Sequence, residues 1–211
     1  LISSYQAGVR TPALLYGITG SGKTEVYMHL IEWMIRQNKQ VIVLIPEIAL
    51  TYQTLLRFYL RFGDRVSVMN SRLSPGERSD QYERAAKGEI DIMIGPRSAL
   101  FTPFERLGLV IIDEEHESSY KSETMPKFHA REVAQELCRM KHASLLLGSA
   151  TPSLESYYRA RQGEIPLFTL NSRLTGGELP KVYIEDLREE LKSGNRSIFS
   201  RRLQQLLEDR L

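Results

Sequence analysis

The chain has 211 residues, 42% hydrophobic and 26% charged, with a net charge of +2. That is an ordinary globular composition with enough apolar residues for one sizeable core, and so mild a balance argues for no nucleic-acid partner on bulk charge. The single cysteine, Cys138, excludes a disulfide framework and any multi-cysteine metal site and suits a reducing cytoplasm.

Cys138 is expected as a small core residue on the apolar side of a helix. No apolar run approaches the roughly 20 residues that span a bilayer, so no membrane partner is expected. The sequence opens at Leu1 without methionine or a signal-peptide pattern, and it closes in the charged helical run "FSRRLQQLLEDRL". Both ends read as cuts in a longer protein.

In chain order, short apolar runs at 13–16, 41–45, 66–70, 90–95, 109–113 and 144–148 are predicted strands. The central ones are apolar at nearly every position, as strands covered on both faces are. Helical spacing of apolar residues fills 23–37, 50–62, 74–87, 129–141 and 153–161. "SPGER" from Ser74 is a helix start, with Pro75 in the first turn. Strand and helix in alternation predict an α/β fold, a mostly parallel sheet with helices on both faces and ligands at the strands' carboxyl ends. Further on, "LFTL" (167–170) and "KVYIEDL" (181–187) are weaker strand candidates. The turn-rich "NSRLTGGELP" between them marks a boundary: one lobe over 1–170, then a linker and a leading segment over 171–211.

Residues 17–24, "GITGSGKT", fit the phosphate-binding pattern G-x-x-x-x-G-K-T, after a strand and before a helix. Gly17, Gly20, Ser21 and Gly22 let backbone N–H groups curl around an anion, and the helix N-terminus adds its positive end. Lys23 reaches the β/γ-phosphates of a nucleotide, ATP, and the Thr24 hydroxyl ligates Mg²⁺. Chance would leave only a glycine-rich turn, but strand, spacing and helix agree. The strand "LVII" then ends in Asp113, Glu114, Glu115 and His116. Asp113 can hold Mg²⁺ through water opposite Thr24, and Glu114 can polarise the attacking water. A solvated acidic turn is the plain alternative. The two motifs together predict a nucleoside triphosphatase core.

The further stretches "PEIALT" (46–51), "GPRSALFTPF" (95–104), "IIDEEHESSYK" (111–121), "FHAREVA" (128–134) and "GSATPS" (148–153) carry a resemblance. In this order the set resembles the DEAD/DEAH-type helicases of superfamily 2, and among them the 3′-to-5′ replication-restart helicases. The similarity runs over nearly the whole chain. It implies a RecA-like P-loop fold, the first of two motor lobes, using ATP and Mg²⁺. It also implies single-stranded or forked DNA, a second lobe, primosome components and single-strand-binding proteins as partners. His116, Ser149, Ala150 and Thr151 would sense the nucleotide state, while Pro46, Arg97 and Ser98 would touch the DNA backbone.

Residues 117–131, "ESSYKSETMPKFHAR", correspond to the aromatic-rich loop that links DNA engagement to hydrolysis in such helicases and in RecQ-type ones. Tyr120, Phe128 and His129 are expected to stack on bases, with Lys121, Lys127 and Arg131 near phosphates; the alternative place for Tyr120 is packed beneath the loop. Trp33 is expected in the core. The family's arginine finger, zinc-binding cysteines and N-terminal DNA-binding domain have no counterpart here, and Gln6 is the one candidate for an adenine-reading glutamine. The piece alone is therefore expected to bind ATP and turn it over weakly. Two rivals remain: a P-loop phosphotransferase, and a non-catalytic module that docks DNA or protein.

Overall fold

Seven strands are present among the described residues, β1 (Ala13–Gly17), β2 (Gln40–Leu44), β3 (Val66–Val68), β4 (Ile92–Gly95), β5 (Leu107–Ile112), β6 (Ser144–Ser149) and β7 (Leu167–Leu170). They form one sheet in the order β3-β4-β2-β5-β6-β1-β7, and every pairing is parallel. The computed structural model describes residues 1–174 and 181–210, in two compact units, Leu1–Gly176 and Gly177–Leu211. No helix among the described residues is long and apolar enough to cross a membrane.

The continuous apolar runs form buried strands because both sheet faces are covered. Side chains alternate between faces along a strand. On one face Ile42, Leu44, Val110, Ile112, Leu145 and Leu147 pack with Ala85 of α4 (Pro75–Ala86), Ala130, Ala134 and Cys138 of α5 (Ala130–Lys141), and Ala160 of α6 (Leu154–Arg161). On the other, Val41, Val43, Leu109, Ile111 and Leu146 pack with Tyr27, Met28, Ile31 and Met34 of α2 (Lys23–Arg36) and Phe58 of α3 (Tyr52–Phe62). Each such aliphatic side chain, fully buried, is worth about 1.5–3 kcal/mol. Cys138 lies in the core as expected, and burial pushes its thiol up to about 12. Trp33 is only half-buried, with its ring edge-on to Tyr5 at 5.4 Å. Tyr5 belongs to α1 (Ile2–Gln6), a helix the sequence patterns did not mark.

Helix starts follow side-chain chemistry. Ser74 and Glu77 form a reciprocal capping box on α4, and Thr51 and Ser153 cap α3 and α6. "LFTL" is β7, paired to β1. "KVYIEDL" is not a strand. Its apolar Val182 and Ile184 are exposed, no partner edge exists among the described residues of its unit, and Asp186 instead accepts from the Arg188 N–H to open α7 (Leu187–Lys192). In the same unit Ser200 caps α8 (Arg201–Glu208), the helix foreseen in the closing run. Of the linker read at 171–180, the stretch 175–180 lies outside the described residues.

The strand order positions the site. The neighbours β5, β6 and β1 bring three motif ends to one rim: the glycine loop after β1, Ser149 at the end of β6, and Asp113 just past β5. Strands about 4.8 Å apart place the outer two roughly 10 Å from each other, with the third between them.

Candidate functional site

The glycine loop turns directly from β1 into α2. Gly22, at the helix N-cap, has φ of +95°, a conformation open to glycine and strained for other residues. A Cβ there would stand 2.8 Å from Leu174, whose N–H donates to the Gly20 carbonyl at 3.0 Å. A Cβ on Gly17 would fall 2.5 Å from Ser21 Oγ. Lys23 is buried, and its Nζ donates to the Gly17 carbonyl at 2.9 Å and lies 3.9 Å from Glu114 Oε1.

The cleft beside the loop measures about 810 Å³. Thr24, Asp113 and Glu114 line it, facing Arg57 and Arg61 of α3. Ser21 Oγ is buried with no hydrogen-bond partner among the described residues, as expected of a donor that serves an anion. A glycine cradle, a buried cation and an orphaned hydroxyl at a helix N-terminus fit a triphosphate, and Thr24 with Asp113 supplies oxygen donors suited to Mg²⁺. Gln6 is exposed at the end of α1 and does not line this cleft.

Asp113 is held from an unforeseen direction. Tyr27, buried on α2, crosses the end of β6 and donates its hydroxyl to Asp113 Oδ1 at 2.8 Å. It can cross only because residue 148 is glycine; a Cβ there would collide with the Tyr27 hydroxyl and stand 2.8 Å from Cζ. Burial raises the Asp113 carboxyl above the usual carboxylate range; the Tyr27 hydrogen bond opposes this, and Glu114 adds to it. Neither Tyr27 nor Gly148 was singled out from the sequence as a site residue.

The remaining motif residues interlock. His116 Nδ1 lies 2.9 Å from Ser149 Oγ, and its Nε2 lies 3.3 Å from Thr151 Oγ1. The Thr151 N–H donates to Ser149 Oγ at 2.9 Å. Ala150 lies between them in the same turn. The turn after β6 is thus hydrogen-bonded to His116, two residues from Glu114.

The expected DNA contacts divide. Pro46 is buried, and its carbonyl accepts from the Ala49 and Leu50 N–H groups. Arg97 begins a 3₁₀ turn, Arg97–Phe101, and its Nη1 donates to the Ser119 and Lys121 carbonyls at 3.0 and 2.6 Å, anchoring the loop. The Ser98 carbonyl accepts from Tyr82 Oη. Arg97 and Ser98 both line a shallow cleft of about 320 Å³ on this side.

Tyr120 is no stacking residue: it is 1% exposed, and its hydroxyl donates to the Asp113 carbonyl at 2.7 Å. His129 is half-buried, and its Nδ1 caps α5 by accepting from the Arg131 N–H at 3.2 Å. Burial first, then the Arg131 charge, holds its imidazole below the usual range. Arg131 is likewise committed inward, pairing with Glu115 at 2.8 Å.

Lys121 and Lys127 are exposed, and Phe128 is half-buried, edge-on to Phe101 at 5.5 Å. Phe101 is 55% exposed. Its only sequence signal was its place in "GPRSALFTPF". A hairpin closed by the Lys121–His129 bridge and the Ser122 N–H to Phe128 carbonyl bond carries Lys121, Lys127 and Phe128.

A family model described as DEAD/DEAH box helicase matches residues 7–160. The chain is 50% identical over 196 residues to the replication restart protein PriA of Bacillus subtilis, and 48% identical over 199 residues to that of Synechocystis. The two matches cover 93% and 92% of this chain but 24% of each of those proteins. The chain thus spans about a quarter of the length of the curated relatives it matches.

Among solved structures, the Pyrococcus furiosus Hef helicase domain superposes with a TM-score of 0.56 at 20% identity, covering 81% of this chain and 37% of that one. RecG bound to a three-way DNA junction gives 0.56 at 24% identity, over 85% and 23%. Those two likenesses establish the RecA-like helicase fold. With 154 of its residues under the family model and the motifs of that family meeting at one sheet rim, the chain belongs to the DEAD/DEAH box helicases.

Proposed function

We propose that the chain is the ATP-binding motor lobe of a 3′-to-5′ DNA helicase that acts in replication restart at stalled forks. The observation that carries this reading is the shared rim: the loop bearing Lys23, Asp113 with Glu114, and Ser149–Thr151 follow three adjacent strands, and Glu114 lies 3.9 Å from Lys23 and 3.8 Å from His116, which meets Ser149 and Thr151. Lys23, Thr24, the loop amides and Asp113 would hold Mg²⁺ and ATP, and the bound ion supplies charge neutralisation of the phosphates. Lys23 moves from the Gly17 carbonyl to a phosphate oxygen. Tyr27 keeps Asp113 aimed at the cleft. Glu114 accepts the proton of the attacking water.

In this reading the transition-state cation comes from a second lobe, and an arginine finger is worth about 10³–10⁵ in rate. The chain alone is therefore expected to bind Mg-ATP and turn it over slowly, whereas the full-length protein turns it over briskly when single-stranded DNA is added. Steady-state turnover of both proteins, with Lys23→Ala as the control, tests this. Brisk Lys23-dependent turnover by the isolated chain would contradict the two-lobe reading.

On the DNA side, Phe101 with Phe128 offers an exposed aromatic edge beside Lys121 and Lys127. Base stacking is worth about 1–3 kcal/mol per base. Phe101→Ala in the full-length protein is expected to weaken single-strand affinity by roughly ten-fold without altering Mg-ATP binding. Fluorescence anisotropy on a labelled oligonucleotide checks it; unchanged affinity would remove Phe101 from the DNA path.

A further inference from the structure

Glu115 is a fully buried carboxylate that the hydrolysis chemistry does not use. Its side chain is 0% exposed and accepts four hydrogen bonds: Arg131 Nη1 at 2.8 Å, the Ser153 N–H at 2.6 Å, Ser153 Oγ at 3.1 Å and Ser156 Oγ at 3.0 Å. The donors come from two other elements. Arg131 opens α5, immediately after the hairpin that carries Lys121, Lys127 and Phe128. Ser153 and Ser156 open α6, directly after the Ser149–Thr151 turn. Arg131 Nη1 also donates to Ser153 Oγ at 2.7 Å and Ser156 Oγ at 3.0 Å. One nitrogen, its two hydrogens shared among three acceptors, therefore lies within hydrogen-bond distance of all three partners.

We infer that Arg131 and Glu115 are a positioning pair that transmits the state of the hairpin to Glu114 and to the turn after β6. A buried ion pair is costly to break on one side, because the partner is left charged without compensation. The cluster therefore moves as a unit or not at all. A shift of the hairpin pulls on Arg131 through the start of α5. Arg131 pulls on Glu115, whose backbone adjoins Glu114 and whose N–H donates to the Gly148 carbonyl at 3.0 Å. The same guanidinium pulls on Ser153, two residues past Thr151. A residue expected from the sequence at the DNA phosphates thus serves inside the protein, between the two sites.

The inference rests on the motor reading above, and the test separates the two. In the full-length protein, three quantities are measured: the ratio of ATP turnover with and without single-stranded DNA, oligonucleotide affinity without nucleotide, and thermal midpoint. Arg131→Met and Glu115→Gln are each expected to lower the turnover ratio ten-fold or more, with DNA affinity within two-fold of wild type. Their combination is expected to be no worse than the worse single change. Arg131→Lys should restore most of the ratio, since one ammonium, with three hydrogens, can serve the three acceptors that this one nitrogen faces.

A merely structural defect lowers both turnover rates and the thermal midpoint, and leaves the ratio alone. Should Arg131→Met not fold, Glu115→Gln, which keeps shape and acceptor oxygen, decides the matter. A wild-type ratio in that variant overturns the inference, as does DNA affinity that falls in step with the ratio in Arg131→Met. A wild-type protein with no DNA stimulation overturns the motor reading along with it.

Discussion

Glu114→Gln is expected to lower DNA-stimulated ATP turnover of the full-length protein by about 10²–10⁴-fold, the range for a lost general base, while Mg-ATP binding is kept or tightened. Glu114 sits at φ of +47°, in the left-handed region. That conformation costs of order 1–3 kcal/mol for a non-glycine residue and persists only where its surroundings impose it. Here both flanks are fixed. The Asp113 N–H donates to the Leu44 carbonyl at 2.9 Å, the Glu115 N–H to the Gly148 carbonyl at 3.0 Å, and the Glu115 side chain is caged.

The strained turn aims the Glu114 carboxylate into the cleft, 3.9 Å from Lys23 Nζ. Glutamine keeps the volume and one acceptor oxygen but cannot take a proton. It also removes the negative charge that competes with phosphate for Lys23, which is why binding is expected to hold or improve. Single-turnover hydrolysis beside equilibrium binding of a fluorescent nucleotide separates the two effects. Turnover within three-fold of wild type would mean that another group accepts the proton.

How much of this was legible in the sequence depends on the range of the interaction. The strands were, because a parallel sheet covered on both faces leaves near-continuous apolar runs; β2 is buried at all five positions. The placement of the motifs set by local spacing was legible as well: the loop at 17–24 between β1 and α2, the acidic turn at 113–116 after β5, and Ser149 to Thr151 at the end of β6. Contacts between distant segments were not. Tyr27 and Asp113 are 86 residues apart, and nothing in the helical pattern of α2 distinguishes Tyr27 from an ordinary core residue.

The aromatic-rich loop fared worst for the same reason. Its composition supplied aromatics and cations, but not which of them the fold would use internally. Tyr120 is taken by the Asp113 carbonyl and Arg131 by Glu115, leaving Phe128, the lysines and the overlooked Phe101 at the surface. "KVYIEDL" failed through the absence of a neighbour. An alternating apolar run becomes a strand only against an edge, and Asp186 offered the backbone a helix cap instead.

Gly148→Ala is expected to be the more disruptive of the two changes for the folded lobe, although it adds a single methyl group. The new Cβ would collide with the Tyr27 hydroxyl and lie 2.8 Å from Cζ. Tyr27 has nowhere to retreat: it is 2% exposed among Met28, Ile31 and the strand residues behind it. Overpacking of this kind costs about 1–3 kcal/mol or more. For a chain of this size that lowers the thermal midpoint by roughly 2–12 °C.

The consequence for the site is separable from the loss of stability. Displacing Tyr27 strips Asp113 of its donor, and the carboxyl, already raised by burial, rises further toward the protonated form. Mg-ATP affinity should therefore fall together with the thermal midpoint. Adding Tyr27→Leu removes both the hydroxyl and the ring that the methyl strikes. Gly148→Ala/Tyr27→Leu is then expected to be more stable than Gly148→Ala alone, yet to keep the weakened Mg-ATP binding, because Asp113 still has no donor. Thermal unfolding and nucleotide titration of the two single variants and the double complete the cycle. Strictly additive midpoints would show that the methyl and the tyrosine do not meet, and that glycine at 148 answers to something other than the passage of Tyr27 across β6.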